Sequence, residues 1–297
     1  MNGFLGDQVS CLPVLRWIKE TKNKRLSVLI NKNFSFIYED TFLFDKNEIL
    51  DMSKKYVFDE NSFILYQFEK FSPAMKCHPT IYYPYFWIGD IMPKNYKNMP
   101  KIKNQDMSDN LYDILKEKKI DKEDLKNYII LSLGSRTESK RWNQNTLREF
   151  LVYLKNKNEK VIFIGNDETK PKKYNEYEVE EKYKSKITFD LKEFSYEGFF
   201  DFTNKLSLKD CIFLFQNCKL FISMEGGLVH LASLTDIKMI VVYSLVNPKE
   251  RMPYRNNVKG YGIMPVYVEK NDPLYRGNFL NSGCRFCLTD FYIDNWE

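Results

Sequence analysis

"LSLKDCIFLFQNCKLFISMEGGLVHLASLTDIKMIVVYS", residues Leu206 to Ser244, decides the fold. Ser207 is a helix N-cap residue type, and the apolar positions after it recur at helical spacing. "KLFIS" (Lys219–Ser223) then reads as a buried strand, Leu228 to Leu234 as a short helix, and "KMIVVYS" (Lys238–Ser244) as a second buried strand. Short apolar strands that alternate with helices predict a parallel sheet covered on both faces. Between strand and helix sits "SMEGG". Glycines ahead of a helix let a ligand approach the backbone, and the free amides there attract anions.

The same rhythm extends upstream. "NYIILSLGSRTESKRW" (Asn127–Trp142) gives a buried strand, Tyr128 to Leu133, and a polar loop; a helix is expected over Asn145 to Lys157. "KVIFIGND" (Lys160–Asp167) is another buried strand ending at Gly165, and residues 168–186 read as a charged, solvated stretch. In a doubly wound sheet, ligands bind beyond the carboxyl ends of the strands. Three loops meet that condition: the one carrying Ser135, Arg136, Thr137, Ser139, Lys140 and Arg141, the "GND" turn, and "MEGG". Their hydroxyls, cations and glycine amides suit a diphosphate. Each loop alone also reads as an ordinary polar turn.

The first half is less regular. A helix is expected from about Val9 to Lys22, with a strand at Arg25 to Asn31. "NFSFIYE" (Asn33–Glu39) and "SFILYQF" (Ser62–Phe68) read as aromatic-rich strands, residues 82–103 as a long loop with three prolines, and Asn110 to Lys118 as a helix. Rhythm changes near residues 120–127, which predicts a domain boundary there. A chain of 297 residues holds two ordinary domains.

Composition narrows the function. Apolar residues make up 43% and charged residues 29%, with a net charge of +5. The lysines are scattered, whereas a nucleic-acid binder shows a dense basic face, so nucleic acid is not expected as a partner. A small anionic ligand fits, as does peripheral contact with an anionic membrane. Six cysteines in a chain this long are not a disulfide scaffold, so reduced thiols in the cytoplasm are expected. Asp7, Arg16 and Lys19 interrupt any signal-peptide pattern, and no apolar run is long enough to span a membrane. There is no G-x-x-x-x-G-K-[ST], and "GFLGD" (Gly3–Asp7) is not G-x-G-x-x-G, which disfavours P-loop and nicotinamide chemistry.

Single residues keep two readings. Asp7 is either a helix-capping carboxylate, a role with an effect of about 1 kcal/mol, or a general base. His230 either packs in its helix or reaches a phosphate. Cys284 and Cys287 form "CRFC", which reads as half a metal site or as a redox pair; a closed metal site needs two more ligands and none lies near in sequence, so isolated thiols are the default and no metal is expected.

Taken in order, four segments resemble glycosyltransferase family 9, the lipopolysaccharide heptosyltransferases. They are "GFLGDQVSCLPVLRWIK" (Gly3–Lys19), "LSLGSRTESKRWNQNTLREFLVYL" (Leu131–Leu154), "VIFIGND" (Val161–Asp167) and the Leu206–Ser244 stretch, which looks like a signature ending in D-[ST]-G-x-x-H-L-A. The resemblance implies an α/β fold of GT-B type, two Rossmann-like domains with parallel sheets facing across a cleft. Residues 1–124 would form the acceptor side and residues 125–297 the nucleotide-sugar side. It implies inverting, metal-independent transfer from a nucleotide-sugar, ADP-heptose in the best-known members, to a hydroxyl of a glycan or glycolipid such as lipopolysaccharide core, with no cofactor. The setting would be cytoplasmic, at the inner face of the membrane.

By position, Asp7 matches the base and Lys140 the phosphate-contacting lysine, with Ser135 and Arg136 in the loop before it. Glu225, Gly226, Gly227 and Leu228 match the donor loop and His230 its histidine. Three departures stand out. Glu225 replaces the usual Asp, Gly226 the usual Ser or Thr, and the strand that usually precedes the glycine loop is expected to be missing. They keep two alternatives open: a non-catalytic nucleotide-sugar or glycan binder, and a GT-B-type nucleotide-sugar epimerase.

Overall fold

The structure is a computed structural model, and its described residues are 5–22, 26–30, 32–51, 53–56, 92–93, 100–132, 142, 144–165, 191–194, 196–243, 252–253 and 263–267. Two sheets are present among them. One pairs β1 (Val28–Ile30) with β2 (Ile49–Asp51) in parallel. The other has six parallel strands: β3 (Tyr128–Ser132), β4 (Lys160–Ile164), β5 (Phe199–Asp201), β6 (Leu220–Met224), β7 (Lys238–Tyr243) and β8 (Ile263–Tyr267). Their order is β5-β4-β3-β6-β7-β8. β8 contains Pro265, which lacks the ladder N–H and is tolerated at a sheet edge.

The apolar runs are continuous because the large sheet is buried on both faces. Successive side chains of a strand point to opposite sides. Ile129 and Leu131 of β3 join Val161 and Phe163 of β4 and Ile222 and Met224 of β6 on one face. There α5 (Gln144–Asn156) covers them with Leu147, Leu151 and Leu154. Tyr128, Ile130, Ile162, Ile164 and Phe221 point the other way. They meet α6 (Leu208–Asn217) and α7 (Gly227–Ala232) in a core that runs on into α2 (Leu12–Thr21) and β1 of the first half.

Ser207 caps α6 as expected, in a reciprocal pair with Asp210. Asp210 is buried and also accepts from the hydroxyl of Ser108, the N-cap of α4 (Asp109–Glu117), at 2.6 Å. One carboxylate therefore ties two helix starts together. Residues 101–105 bind both halves: Lys103 N–H donates to Asp40 O at 2.7 Å, and Ile102 N–H donates to Leu234 O at 3.0 Å.

Two expectations change. The helix expected over Val9 to Lys22 is two helices, α1 (Leu5–Ser10) and α2, broken at Cys11. Pro13 sits in the first turn of α2; inside one continuous helix its ring would strike the carbonyl four residues back. "NFSFIYE" is not a strand. It forms a 3₁₀ turn, Lys32–Phe34, and then α3 (Ser35–Asp40). Ile37, Tyr38, Asp40 and Thr41 are the buried positions, a helical spacing rather than an alternating one. The second aromatic segment, Ser62–Phe68, lies outside the described residues, as does most of 82–103. β2, β5 and β8 have no counterpart in the sequence reading; β2 and β5 have only three residues each, too few to show a period.

Candidate functional site at the sheet switch point

The strand order reverses between β3 and β6. β4 and β5 lie to one side of that point, β7 and β8 to the other, and a reversal of this kind is where doubly wound sheets bind ligands, beyond the carboxyl ends of the strands. β3 ends at Ser132, which is fully buried. The indole N–H of Trp142 donates to Ser132 O at 3.0 Å, so the chain that leaves β3 is pinned back to the strand's last carbonyl ten residues later. β6 runs into Glu225, whose N–H donates to Val242 O at 2.9 Å. The ladder with β7 thus continues one residue past the strand before Gly226 turns the chain into α7.

Glu225 is 5% exposed, and Tyr243, the last residue of β7, is 1% exposed. The Tyr243 hydroxyl makes no hydrogen bond among the described residues. Burial first, and the Glu225 charge second, push this phenol well above its ordinary range, so it stays an O–H group throughout the physiological pH range.

The opening helix comes to the same place. α1 packs on α7, with Gly6 against the ring of His230 and Gly227 against the side chain of Leu5. On the N-terminal side, the Tyr38 hydroxyl of α3 donates to Gln8 Oε1 at 2.8 Å, and both residues are fully buried. Burial, with a smaller contribution from Cys11, raises the Tyr38 phenol well above its usual range and keeps it a donor.

Of the residues the sequence nominates, Asp7 lies on α1 between Gly6 and Gln8. Glu225, Gly226, Gly227, Leu228 and His230 form the turn and first residues of α7. The structure brings these two sets of backbone together. Ser135, Arg136 and Lys140 lie outside the described residues, as do Cys284 and Cys287. Gln8, Tyr38 and Tyr243 carry no signal in the sequence, since each acts through a partner distant in the chain. Trp142 does carry one, as the aromatic residue that closes "SKRW".

Among the described residues no group of three or more His, Cys, Asp or Glu side chains is placed to hold a metal, and no helix is long and apolar enough to cross a membrane. Cys11, Cys211 and Cys218 stand outside any disulfide among the described residues; burial, then the Asp210 charge, pushes Cys211 up to about 12.

A family model described as glycosyltransferase family 9 (heptosyltransferase) matches residues 96–271. The chain belongs to glycosyltransferase family 9. It is a glycosyltransferase, and its fold is GT-B. The structure is similar to a glycosyl transferase family 9 protein from Veillonella parvula, at 14% identity over 91% of this chain and 84% of that chain, with a TM-score of 0.60. It is also similar to TibC, a dodecameric iron-containing heptosyltransferase solved with ADP-D-β-D-heptose, at 17% identity over 97% of this chain and 70% of that one, TM-score 0.54. A second TibC structure, from enterotoxigenic E. coli, gives 18% identity over the same shares and a TM-score of 0.53. No curated protein sequence matches the chain significantly.

Proposed function

We propose that this family 9 glycosyltransferase moves heptose or a related sugar from a nucleotide-sugar to a hydroxyl of a glycan or glycolipid acceptor, such as lipopolysaccharide core, with inversion and without a metal. The observation that carries the reading is the contact between α1 and α7. It joins the helix of Asp7 to the helix that follows the Glu225–Gly227 turn, at the carboxyl end of β6. In this reading residues 1–124 serve the acceptor and residues 125–297 the donor. The reaction runs in the cytoplasm, at the inner face of the membrane when the acceptor is a lipid. The heptose-nucleotide bound by TibC supports ADP-heptose as the first donor to try.

The chemistry divides by residue. Asp7 takes the proton of the acceptor hydroxyl as its oxygen attacks the anomeric carbon. The bond from that carbon to the diphosphate oxygen breaks on the opposite face, so the configuration inverts. The departing nucleoside diphosphate gains charge. Lys140, Ser135, Arg136 and the amides of Gly226 and Gly227 offset it, and preorganised donors of this kind are worth about 3 kcal/mol each. Glu225 and Leu228 complete the donor loop.

A thermal-shift screen against ADP-, GDP-, UDP- and CDP-sugars tests the donor half. A ligand at 100 times its Kd stabilises the fold by about 2.7 kcal/mol. Lys140→Ala is expected to weaken donor binding. Asp7→Ala is expected to bind donor normally and transfer nothing. Near-normal turnover by Asp7→Ala would sink the base assignment, and donor isomerisation without an acceptor would move the chain to the epimerase class.

A further inference from the structure

α1 and α7 approach through two glycines. A Cβ on Gly6 would stand 2.9 Å from Cδ2 of His230, 3.6 Å from its Nε2 and 3.7 Å from Cα of Gly227. A Cβ on Gly227 would stand 3.2 Å from Cβ of Leu5. The first distance is shorter than real Cβ contacts, so an alanine at Gly6 has to displace the imidazole or the helix. Neither glycine has a positive φ, so backbone freedom is not what calls for glycine there. Close approach is.

α1 is also held from its other neighbour in sequence. Gln8 is fixed by the buried Tyr38 hydroxyl, while Gly6 rests on His230. Asp7 lies between the two. Its helix is therefore clamped between α3 of the first half and α7 of the second.

We propose that the Gly6–His230 contact is a positioning device, in which the imidazole seated on Gly6 fixes how far α1, and Asp7 with it, stands from the turn at Glu225–Gly227. The inference rests on the reading of this site as a sugar transferase, where that gap is the reach from base to sugar carbon. His230 then acts as a spacer by its bulk, and not as a ligand of the diphosphate. Gly6 acts by having no side chain. Placement of this kind is rate-determining in physical terms, because an error of about 1 Å in a reacting pair costs about 100-fold in rate.

Transfer kinetics with ADP-heptose on Gly6→Ala, His230→Ala, His230→Phe and the Gly6→Ala/His230→Ala double variant test it. Gly6→Ala is expected to lower kcat by about 10- to 100-fold, with donor KM within about threefold of wild type. The double variant should be no slower than His230→Ala alone, because the ring that the new methyl strikes is gone. His230→Phe, which keeps the ring and drops the nitrogens, should retain kcat within about threefold of wild type.

Gly6→Ala at wild-type kcat overturns the proposal, and so do losses that multiply in the double variant. If Gly6→Ala does not fold, the His230 pair decides. A Phe variant as slow as the Ala variant, with weakened donor binding, makes His230 a ligand and overturns the spacer. A wild-type chain that transfers to no acceptor defeats the functional reading instead. The contact is then judged by melting temperatures: a Gly6→Ala loss restored by His230→Ala upholds it, and additive losses overturn it.

Discussion

β3 and β4 pair over five residues, and each strand buries alternate side chains on both faces of its sheet, whereas β1 and β2 pair over three. The turn at the carboxyl end of β6 thus rests on a six-stranded sheet whose strand ends are set by many ladder bonds at once. The helix of Asp7 is six residues long and is held by particular contacts: Tyr38 on Gln8, His230 on Gly6, Leu5 on Gly227. The difference separates two kinds of sensitivity. Damage to the large sheet costs global stability. Damage around α1 costs placement, because its contacts with α3 and α7 fix where Asp7 stands.

The sharpest way to break this contrast is a cavity in the sheet. Phe163 of β4 is fully buried in the layer under α5. Phe163→Ala is expected to lose about 3–5 kcal/mol, read by urea denaturation. A loss below about 1 kcal/mol, the range of tolerated core swaps, would show that the sheet is not the rigid partner. Next comes Asp210, which accepts from Ser108 Oγ at 2.6 Å, from Ser207 N–H at 2.9 Å and from Ser207 Oγ at 2.8 Å. Asp210→Ala leaves those donors without their acceptor and is expected to lose about 2–3 kcal/mol. Substituting Ser108 alone should cost less, since the Ser207 pair remains.

Asp210 also shows what the sequence reveals and what it hides. Ser207 as a cap is legible, because the signal and the structure lie within one turn. The bond to Ser108 spans 102 residues and has no local signature. The large sheet is legible for the same reason as the cap. Strands buried on both faces are apolar throughout, so "YIILS" and "VIFI" announce themselves. α3 is misread because aromatic, β-branched residues favour strands locally, while its helical form follows from where Ile37 and Tyr38 find cover. At the site, the EGG turn and Asp7 stand out by residue type, although Asp7 lies in α1 and not in the loop its glycines suggest. The clamp on α1 does not, since Gly6, Gln8 and Tyr38 gain their roles only when α3 and α7 are brought beside them.

The clamp can be sharpened without emptying any volume. Tyr38→Phe removes the donor to Gln8 and keeps the ring. The stability loss is expected to be about 1 kcal/mol, the scale of one buried hydrogen bond whose partner is left behind. On the proposed reading, kcat should fall by more than that stability change explains, with donor binding unchanged. A kcat at the wild-type value would mean that Gln8 does not restrain Asp7, and the contrast between the two sides would then rest on Gly6 alone.

The smallest effect lies at the strap between the halves. Lys103 pairs with Asp40 at 2.9 Å, and that hydrogen bond, then its charge, raises the lysine above 10.5. A group whose folded value is raised supports the fold fully below its unfolded value, and the support disappears as pH climbs through the folded value. Wild type should therefore melt slightly above Lys103→Met at pH 8, and the gap should close above pH 10.5, the ordinary lysine value. The lysine is half exposed, so added salt should shrink the gap as well. Asp40 keeps its bond from Gln105 in the variant, which limits the loss to the charge pair. A gap that persists at high salt and high pH would mean that the strap holds by its backbone bonds to Asp40 and Leu234, and that the ion pair adds nothing to how the two halves are joined.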